Sequence, residues 1–366
     1  MPETPDPASD PIRLVVLYGG QSAEHDVSRV SATHVLAAID ATRYEIDPVA
    51  ITPDGRWVRS DATVAALAEG PHALPDALDA DGTALEPQAS VAPVRPGQRV
   101  VVLPILHGPR GEDGAVQGLL ELAGVAYAGS GVLGSAANMD KVMSKVVAAA
   151  AGLPIVRYLA VRDTQIDQAF VDRVGTELGW PVFVKPANMG SSVGVTRADE
   201  AAGLLVALAE ATSFDEWAVV EEAVTAREIE VGVLGNADPR ASVPGEIVPT
   251  HEFYDYEDKY LDGAAEMVIP ADLPPEVAER ARTLAVQAFA ALRCDGLARV
   301  DFFYEEGPDG RGLLFNEINT MPGFTPFSMF PSLWAATGLA YAELIDELLE
   351  LALARHAHRA PHRRQR

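Results

Sequence analysis

An apolar run, Ile12–Tyr18 (IRLVVLY), interrupted only by Arg13, constrains the fold of this chain more than any other segment. A strand that is apolar on both faces is typical of a parallel sheet covered by helices on both sides. Strands are also expected at Tyr44–Ile51 and Arg99–Leu106, with helical segments between them. The pattern predicts an α/β fold that begins with an open parallel α/β domain over residues 11–129.

Three stretches of this first domain need separate interpretation. Ser22 or Asp26 is expected to cap the helix that follows the first strand. Residues 59–98, rich in Ala, Pro, Asp and Gly, are interpreted as a partly helical, partly loose excursion. Residues 1–10, rich in Pro and Asp, are interpreted as a disordered leader.

Two further units follow, over residues 130–221 and 222–355, and a basic tail covers residues 356–366. The tail and its flank are expected to form a frayed, solvated chain end. Its arginines are Arg355, Arg359, Arg363, Arg364 and Arg366. The elements expected in these units are a helix around Met139–Ala151, strand Pro181–Lys185, helix Asp199–Ala211, strands Trp217–Glu222, Glu228–Leu234 and Ala241–Ile247, helix Pro275–Leu292, strands Leu297–Tyr304 and Gly312–Asn319, and helix Tyr341–Arg355.

The charge balance excludes several classes of partner. With 28 basic and 53 acidic residues the net charge is −25, so no broad basic field exists for nucleic acid or an anionic membrane. The one cysteine, Cys294, cannot form an intrachain disulfide, which fits a reducing compartment. The N-terminus lacks the pattern of a secretory signal. We expect a cytoplasmic protein that binds no nucleic acid and no membrane.

Lysine is rare in this chain, with four lysines against 24 arginines. Because a lysine is a compact point charge with rotatable donors, each of the four is a candidate phosphate contact. Chance is the simpler explanation for at least one of them. The four are Lys141, Lys145, Lys185 and Lys259.

Lys185 ends the strand PVFVKP, five residues before the sequence GSSVG at residues 190–194. Small residues leave backbone N–H groups open, and consecutive N–H groups form an anion nest. Lys141 supplies a second cation, and the chain contains no Gly-Lys pair and therefore no Walker A loop. We expect a nucleotide triphosphate here, although an ordinary Gly/Ser loop would have the same composition.

The carboxylates near the end of the chain give the strongest signal. Arg299 and Asp301 share one side of a strand, and Glu317 and Asn319 share one side of the next strand. The hairpin turn at residues 307–310 brings the two pairs together. Two carboxylates and an amide oxygen suit Mg²⁺ that bridges phosphates. The alternative is a solvated hairpin face with cross-strand salt bridges.

Four other residues are weaker candidates. Glu221 and Glu228 flank a short connection and could accept hydrogen bonds from adenine and ribose, or be ordinary surface glutamates. Glu24 begins a helix, where a carboxylate is favoured by the helix dipole alone. His107 follows a strand end, where ligands gather in open α/β sheets, or is a structural histidine.

These motifs, in this order, resemble the D-alanine–D-alanine ligases of the ATP-grasp superfamily. The resemblance covers nearly all of residues 12–355 and implies three domains, with ATP held between the central and C-terminal ones. The matching stretches are YGGQSAEHDVS, LHGPRGEDGAVQG, GSGVLGSAANMDK, VFVKPANMGSSVGV, EEAVTAREIEVGVLG, EFYDYEDKY, LARVDFFY and FNEINTMPGFTPFSMFPSLW.

The resemblance implies an ATP-dependent ligase that activates D-alanine as an acyl phosphate for attack by the amine of a second D-alanine. ATP would contact Lys141, Lys185, Ser192, Glu221, Val224, Glu228 and Lys259, and two Mg²⁺ ions, with Mn²⁺ as an alternative, would bind Asp301, Glu317 and Asn319. The reacting groups would meet Glu24, Ser191, Tyr260, Arg299 and Gly323, and the substrates His107, Ser328 and Met329.

Tyr260 would donate to Ser191, and Ser191 to Glu24, sealing the site. The Lys259-Tyr260 pair matches the loop of dipeptide-forming ligases, and the resemblance also implies a homodimer.

The alternatives within the family are ligases that use D-lactate or D-serine as second substrate. A distant alternative is an NAD(P)-binding oxidoreductase, because residues 129–134 read G-x-G-x-x-G. The acidic residue expected about twenty positions later is missing.

Overall fold

The computed structural model describes residues 11–248 and 266–363, without the side chains of residues 361–363. Its strands form three sheets of six, four and five strands. No helix within these two ranges is long and apolar enough to cross a membrane. The expected mixed α/β fold with a parallel N-terminal sheet is confirmed.

The first sheet has strand order β4-β3-β2-β1-β5-β6, in which β1 pairs in parallel with both β2 and β5. Its strands are β1 (Ile12–Gly19), β2 (Tyr44–Ile51), β3 (Trp57–Arg59), β4 (Thr83–Ala84), β5 (Val100–Pro104) and β6 (Ala126–Tyr127). The helices of this region are α1 (His25–Ala38), α2 (Asp61–Glu69), α3 (Pro87–Val91) and α4 (Ala115–Ala123).

The apolar run in β1 is buried on both faces of this sheet. Leu14, Val16 and Tyr18 belong to an apolar cluster that includes residues of α1. Val15 and Leu17 belong to a second cluster, which includes residues of α4. Each buried aliphatic side chain stabilises the fold by about 2 kcal/mol, so β1 can exist only inside such a two-sided layer.

The excursion at residues 59–98 is more ordered than expected. It holds α2, α3 and β4, and Ser60 caps α2 by accepting a hydrogen bond from the backbone N–H of Thr63. Leu78 and Val91 are fully buried. Scattered apolar residues anchor this segment without a regular period, which is why the sequence pattern alone suggested a loose region.

The expected cap of α1 is wrong. Glu24 occupies the N-cap position without a side-chain capping bond. The hydroxyl of Ser22 instead donates to the carbonyl oxygen of His107 (2.7 Å), and Asp26 pairs with Arg29 (2.8 Å). The carboxylate of Glu24 therefore makes no capping hydrogen bond to its own helix.

The second sheet is antiparallel, with strand order β7-β10-β8-β9. The single helix expected around Met139–Ala151 is two helices, divided at Asp140, whose carboxylate caps the second one by accepting from two backbone N–H groups. Strands β7 and β9 and helix α7 were not predicted from the sequence. The elements are α5 (Val132–Met139), α6 (Lys141–Ala150), β7 (Tyr158–Arg162), α7 (Gln168–Glu177), β8 (Val182–Pro186), β9 (Thr196–Ala198), α8 (Ala201–Phe214) and β10 (Trp217–Glu222).

The third sheet is also antiparallel, with strand order β13-β12-β11-β14-β15. The expected β14–β15 hairpin is present. The elements are β11 (Arg227–Gly235), β12 (Arg240–Val248), β13 (Glu266–Val268), α9 (Pro275–Ala291), β14 (Gly296–Glu305), β15 (Gly312–Asn319), α10 (Met329–Thr337) and α11 (Tyr341–Arg363). Helix α10 was not expected.

The frayed C-terminal end is a wrong expectation, because α11 continues as a helix to Arg363. Arg355 is buried, with 7% of its surface exposed, and donates to the carbonyl oxygens of Tyr127 (3.0 Å) and Gly129. Arg359 pairs with Asp295 (2.9 Å). The end of the chain thus joins the first domain to the last, while residues 364–366 lie outside the described residues.

Candidate active site

The β14–β15 hairpin brings together the four polar residues expected from the sequence. Arg299 lies opposite Asn319, and Asp301 lies opposite Glu317. The guanidinium of Arg299 donates two hydrogen bonds to Asp301, each of 2.8 Å, and the Asn319 amide donates to Asp301 Oδ2 at 3.0 Å. The pairs therefore form one block of side chains on one face of the sheet.

Arg299 has a second acidic neighbour that the sequence analysis missed. Glu230, on β11, lies beside Arg299 with an Nε–Oε2 distance of 2.9 Å. Burial would lower the pKa of Arg299, but Asp301 and Glu230 hold it well above its ordinary value. Arg299 is therefore a fixed positive charge beside the carboxylates. The pairing of β11 with β14, which places Glu230 opposite Asp301, was not readable from residue spacing.

Helix α6 supplies two lysines to the same region. Lys141 donates to the carbonyl oxygen of Met189 at 2.6 Å, and its Nζ lies 3.6 Å from Glu317 Oε2. Lys145, one turn later, lies 2.8 Å from Glu221 Oε1. These contacts connect the central sheet, the hairpin and residues next to the GSSVG loop.

Glu221 is held by two lysines, one on each carboxylate oxygen. Lys185 Nζ lies 2.8 Å from Oε2, opposite the contact with Lys145. Burial alone would raise the pKa of Glu221, but the two ammonium groups lower it to about 2. Glu221 is therefore a buried anion rather than the exposed acceptor that was the simpler interpretation of the sequence.

The GSSVG loop touches the first domain through its first serine. Ser191 has a φ of +51° and its hydroxyl donates to Glu24 Oε1 at 2.6 Å. A Cβ atom added to Gly190, the first residue of the loop, would lie 3.2 Å from Glu24 Oε2, so the loop backbone also passes close to this carboxylate. The expected Ser191–Glu24 hydrogen bond is thus present.

His107 and Glu112, a residue not predicted from the sequence, bind the backbone of Met321 from both sides, one at its C=O and the other at its N–H. The Nδ1–H of His107 donates to the carbonyl oxygen of Met321 at 3.0 Å. Glu112 accepts from the backbone N–H groups of Gly108 (2.7 Å) and Met321 (3.0 Å). Burial and the nearby charge of Glu24 raise the pKa of Glu112 to about 8.

The other ring nitrogen of His107, Nε2, makes no hydrogen bond with any described residue. The residue is 4% exposed, and its Nε2 atom has no hydrogen-bond partner in the part of the chain that the structure describes. A buried polar atom without a partner is costly, so a ligand that supplies one gains binding energy. This observation favours the ligand-binding interpretation of His107 over the structural one.

Gly323 and Ser328 lie in the loop after β15. The hydroxyl oxygen of Ser328 accepts a hydrogen bond from the backbone N–H of Thr325 at 3.2 Å. It also lies 2.8 Å from the hydroxyl oxygen of Thr325. A Cβ atom on Gly323 would lie 3.2 Å from Ser328 Oγ, so the two residues are close neighbours. Met329 is 5% exposed and packs in an apolar cluster with Leu333. It is thus a core residue, and its contact with substrate stays a prediction.

Comparison with known families decides the affiliation. Family models described as "D-ala D-ala ligase N-terminus" and "D-ala D-ala ligase C-terminus" match residues 13–130 and 147–350. The chain belongs to the D-alanine–D-alanine ligase family. Together these two models span most of the three sheets and all four residues of the hairpin block.

Named relatives and solved structures agree. The chain is 46% identical over 362 residues to a "D-alanine--D-alanine ligase" of Geobacillus kaustophilus, covering 94% of this chain and 95% of that one. It is 48% identical over 370 residues to the ligase of the same name from Kineococcus radiotolerans, with 94% and 97% covered.

The D-alanine–D-alanine ligase structure from Coxiella burnetii superposes with a TM-score of 0.79 at 34% identity, covering 96% of this chain and 98% of that one. A D-Ala:D-Ser ligase from Enterococcus faecalis has a TM-score of 0.79 at 31% identity, with 94% and 100% covered.

The remaining residues that the ligase resemblance named fall into two groups. Glu228 lies on β11, Val224 lies in the link between β10 and β11, and Ser192 has a φ of +58° next to Ser191. Lys259 and Tyr260 lie outside the described residues, so their roles stay predictions.

The glycines at residues 129–134 serve chain packing in this ligase. A Cβ atom on Gly134 would lie 2.5 Å from the carbonyl oxygen of Arg293, and one on Gly131 would meet the Arg359 guanidinium at 3.3 Å. Close packing against neighbouring protein atoms is therefore sufficient to explain these two glycines. The oxidoreductase alternative has no structural support.

Proposed function

We propose that this protein joins two D-alanine molecules into D-alanyl-D-alanine, with ATP as the activating substrate, for peptidoglycan precursor synthesis. The observation that carries the proposal is the approach of Lys141 to Glu317, 3.6 Å apart. This distance supports the proposal, because Lys141 would bind phosphate beside the oxygen atoms that would bind Mg²⁺. A ligase that activates a carboxylate with ATP needs these two groups at one place.

The donor set of Asp301, Glu317 and Asn319 fits Mg²⁺, because it consists of hard oxygen ligands. Within residues 11–248 and 266–363 no three His, Cys, Asp or Glu side chains cluster as metal ligands. Phosphate oxygens of ATP would therefore complete the coordination of two Mg²⁺ ions, with Mn²⁺ as an alternative. The metal would supply charge neutralisation on the transferred phosphoryl group.

ATP would lie between the second and third sheets. Lys141 and Lys185 would contact its phosphates, together with Ser192 and Lys259. Glu221 and Glu228 would accept hydrogen bonds from adenine and ribose, and Val224 would contact the base. The positive φ of both loop serines supports this proposal, because successive N–H groups in such a turn can point at an anion.

The first D-alanine would sit between the first and third sheets. Glu24 would hold its ammonium group, and the orphaned Nε2 of His107 would contact its carboxyl end. Phosphorylation by ATP turns this carboxylate into an acyl phosphate, which the second amine attacks as phosphate leaves. Arg299 and the N–H of Gly323 would stabilise the tetrahedral oxyanion, each contributing about 3 kcal/mol.

The second D-alanine would meet Ser328 through its carboxylate and Met329 through its methyl group, and Tyr260 would donate to Ser191 to seal the site. D-serine is a second candidate, because the chain resembles a D-Ala:D-Ser ligase structure with a TM-score of 0.79. D-lactate is the third. Relatives named D-alanine–D-alanine ligase at 42–48% identity favour D-alanine.

The test incubates the protein with ATP, Mg²⁺ and single D- or L-amino acids, and measures phosphate release and product mass. We expect D-alanine to give the largest release and a dipeptide mass. Equal release with L-alanine contradicts the proposal, and so does phosphate release without dipeptide.

We further propose a cytoplasmic homodimer with domains at residues 11–129, 130–221 and 222–355. Leu122 and Leu133, on the contacting helices α4 and α5, are 87% and 63% exposed, which favours a partner surface there. Light scattering tests this: we expect twice the mass of one chain, and a single-chain mass for Leu122→Lys/Leu133→Lys. A wild-type protein with the mass of one chain contradicts the dimer.

A further inference from the structure

Lys145 is the most buried of the described lysines, and the proposed function gives it no contact with a substrate. Its side chain is 1% exposed, whereas those of Lys141 and Lys185 are each 14% exposed. A buried ammonium costs several kcal/mol unless partners satisfy it. A chain that uses arginine for nearly all its cations keeps a lysine at this site, which suits a compact, fully enclosed charge.

The partners of Lys145 come from two different domains. Its ammonium group lies 2.8 Å from Glu221 Oε1, on β10, and donates to the carbonyl oxygen of Asn316, on β15, at 3.2 Å. Asn316 is the extra residue of a β-bulge, because the strand register shifts between Asp301 and Phe302. The bulge is adjacent to Glu317. The Lys145 ammonium group thus connects Glu221, at the proposed nucleotide site, to the strand that carries Glu317, a proposed metal ligand.

Lys145 also divides the carboxylate of Glu221 between two lysines. Oε1 is occupied by Lys145, and Oε2 lies 2.8 Å from Lys185. Without Lys145, Glu221 could turn both oxygens toward Lys185 and occupy more of its N–H donors. A Lys185 ammonium held by one oxygen keeps donors for another anion.

We propose that Lys145 is a positioning residue for ATP: it holds one oxygen of Glu221 so that Lys185 keeps donors for a phosphate group. Its bond to Asn316 fixes the bulge beside Glu317 at the same time. The inference rests on the proposed function in one respect, namely that Lys185 meets a phosphate of ATP.

The test measures ATP binding by calorimetry with Mg²⁺ and without any amino acid. In Lys145→Met, we expect the Kd for ATP to rise roughly tenfold or more, while the KM for D-alanine stays within about twofold. Arg355→Met removes another buried cation, far from the nucleotide, as a matched control. It should lower the Tm and leave the Kd for ATP unchanged.

A double-mutant cycle separates positioning from general damage. If Lys145 acts through Glu221, Lys145→Met should weaken ATP binding much less in a Glu221→Gln background than in the wild type. Equal effects in both backgrounds overturn the proposal, and so does a Kd within about twofold of wild type. If Lys145→Met does not fold, Lys145→Gln, which keeps a donor for Asn316, is measured by the same criteria.

The outcomes are distinguishable from failure of the proposed function. A wild-type protein that binds ATP but makes no dipeptide contradicts that function alone. A wild-type protein that makes dipeptide, with a Lys145→Met variant that binds ATP normally, contradicts this inference alone.

Discussion

The hydroxyl of Ser191 donates a 2.6 Å hydrogen bond to Oε1 of Glu24, across 167 positions of the sequence. It connects the GSSVG loop, between β8 and β9, to the residue that precedes helix α1. Glu24 does not cap its own helix, so its carboxylate serves the contact with the loop instead. With Glu24 in its proposed role of holding the substrate ammonium group, this bond would link the loop to the substrate pocket.

Ser191→Ala tests this link. A hydrogen bond to a charged group is worth about 1.5–3 kcal/mol, and Ser191 is half-exposed, so we expect kcat/KM for D-alanine to fall roughly tenfold. The Tm should not change. Ser213→Ala, which removes an exposed hydroxyl that bonds to the carbonyl oxygen of Glu210, is the control. Unchanged kcat/KM in Ser191→Ala would show that the contact is incidental.

The hairpin block predicts metal-dependent catalysis. Glu317→Gln keeps the shape of the side chain but removes its charge, so turnover with Mg²⁺ should fall roughly a hundredfold while the fold survives. Glu279→Gln changes an exposed glutamate that pairs with Arg282 on its own helix, and should be neutral. Turnover of Glu317→Gln within about threefold of wild type would refute the metal assignment.

The raised pKa of Glu112, about 8 against an ordinary 4.5, predicts a pH effect on stability. Between these values the folded protein keeps a proton that the unfolded chain has lost, so the free energy of unfolding falls as pH rises. Glu112→Gln cannot ionise and should lose less stability than wild type between pH 5 and 8. Urea unfolding at several pH values measures this. If the free energy of unfolding changes with pH in the same way in both proteins, the raised pKa of Glu112 is contradicted.

The buried Arg355 predicts a structural role for the C-terminal helix. Arg355→Ala leaves the carbonyl oxygens of Tyr127 and Gly129 without their donor and Asp295 with one partner fewer, so the free energy of unfolding should drop by about 3 kcal/mol. Arg282→Ala, an exposed change, should cost less than about 1 kcal/mol. A drop of similar size in both variants would show that Arg355 has no special role.

The parts of the fold that sequence predicts are those in which a local pattern decides the structure. Burial on both faces follows from the apolar run in β1, and the hairpin block follows from the period of two in β14 and β15. Arg299, Asp301, Glu317 and Asn319 were found in this way. Ser191 and Glu24 were assigned through resemblance, because their contact depends on how two domains meet.

The parts that sequence missed depend on distant partners. Arg355 has the sequence context of a solvated tail residue, and only the folded structure shows that it donates to the carbonyl oxygens of Tyr127 and Gly129. Glu112 carries no local signal, since its partners are backbone N–H groups from two domains. Lys145 was one of four candidate phosphate contacts, and only packing shows that its ammonium group pairs with the carboxylate of Glu221.

Competition between D-alanine and D-lactate as second substrate tests the central claim most directly. The protein is incubated at neutral pH with ATP, Mg²⁺ and both compounds, and the products are resolved by mass. We expect D-alanyl-D-alanine as the main product, with one phosphate released for each dipeptide formed. A depsipeptide as the main product would contradict it, and so would an absence of any ATP-dependent product.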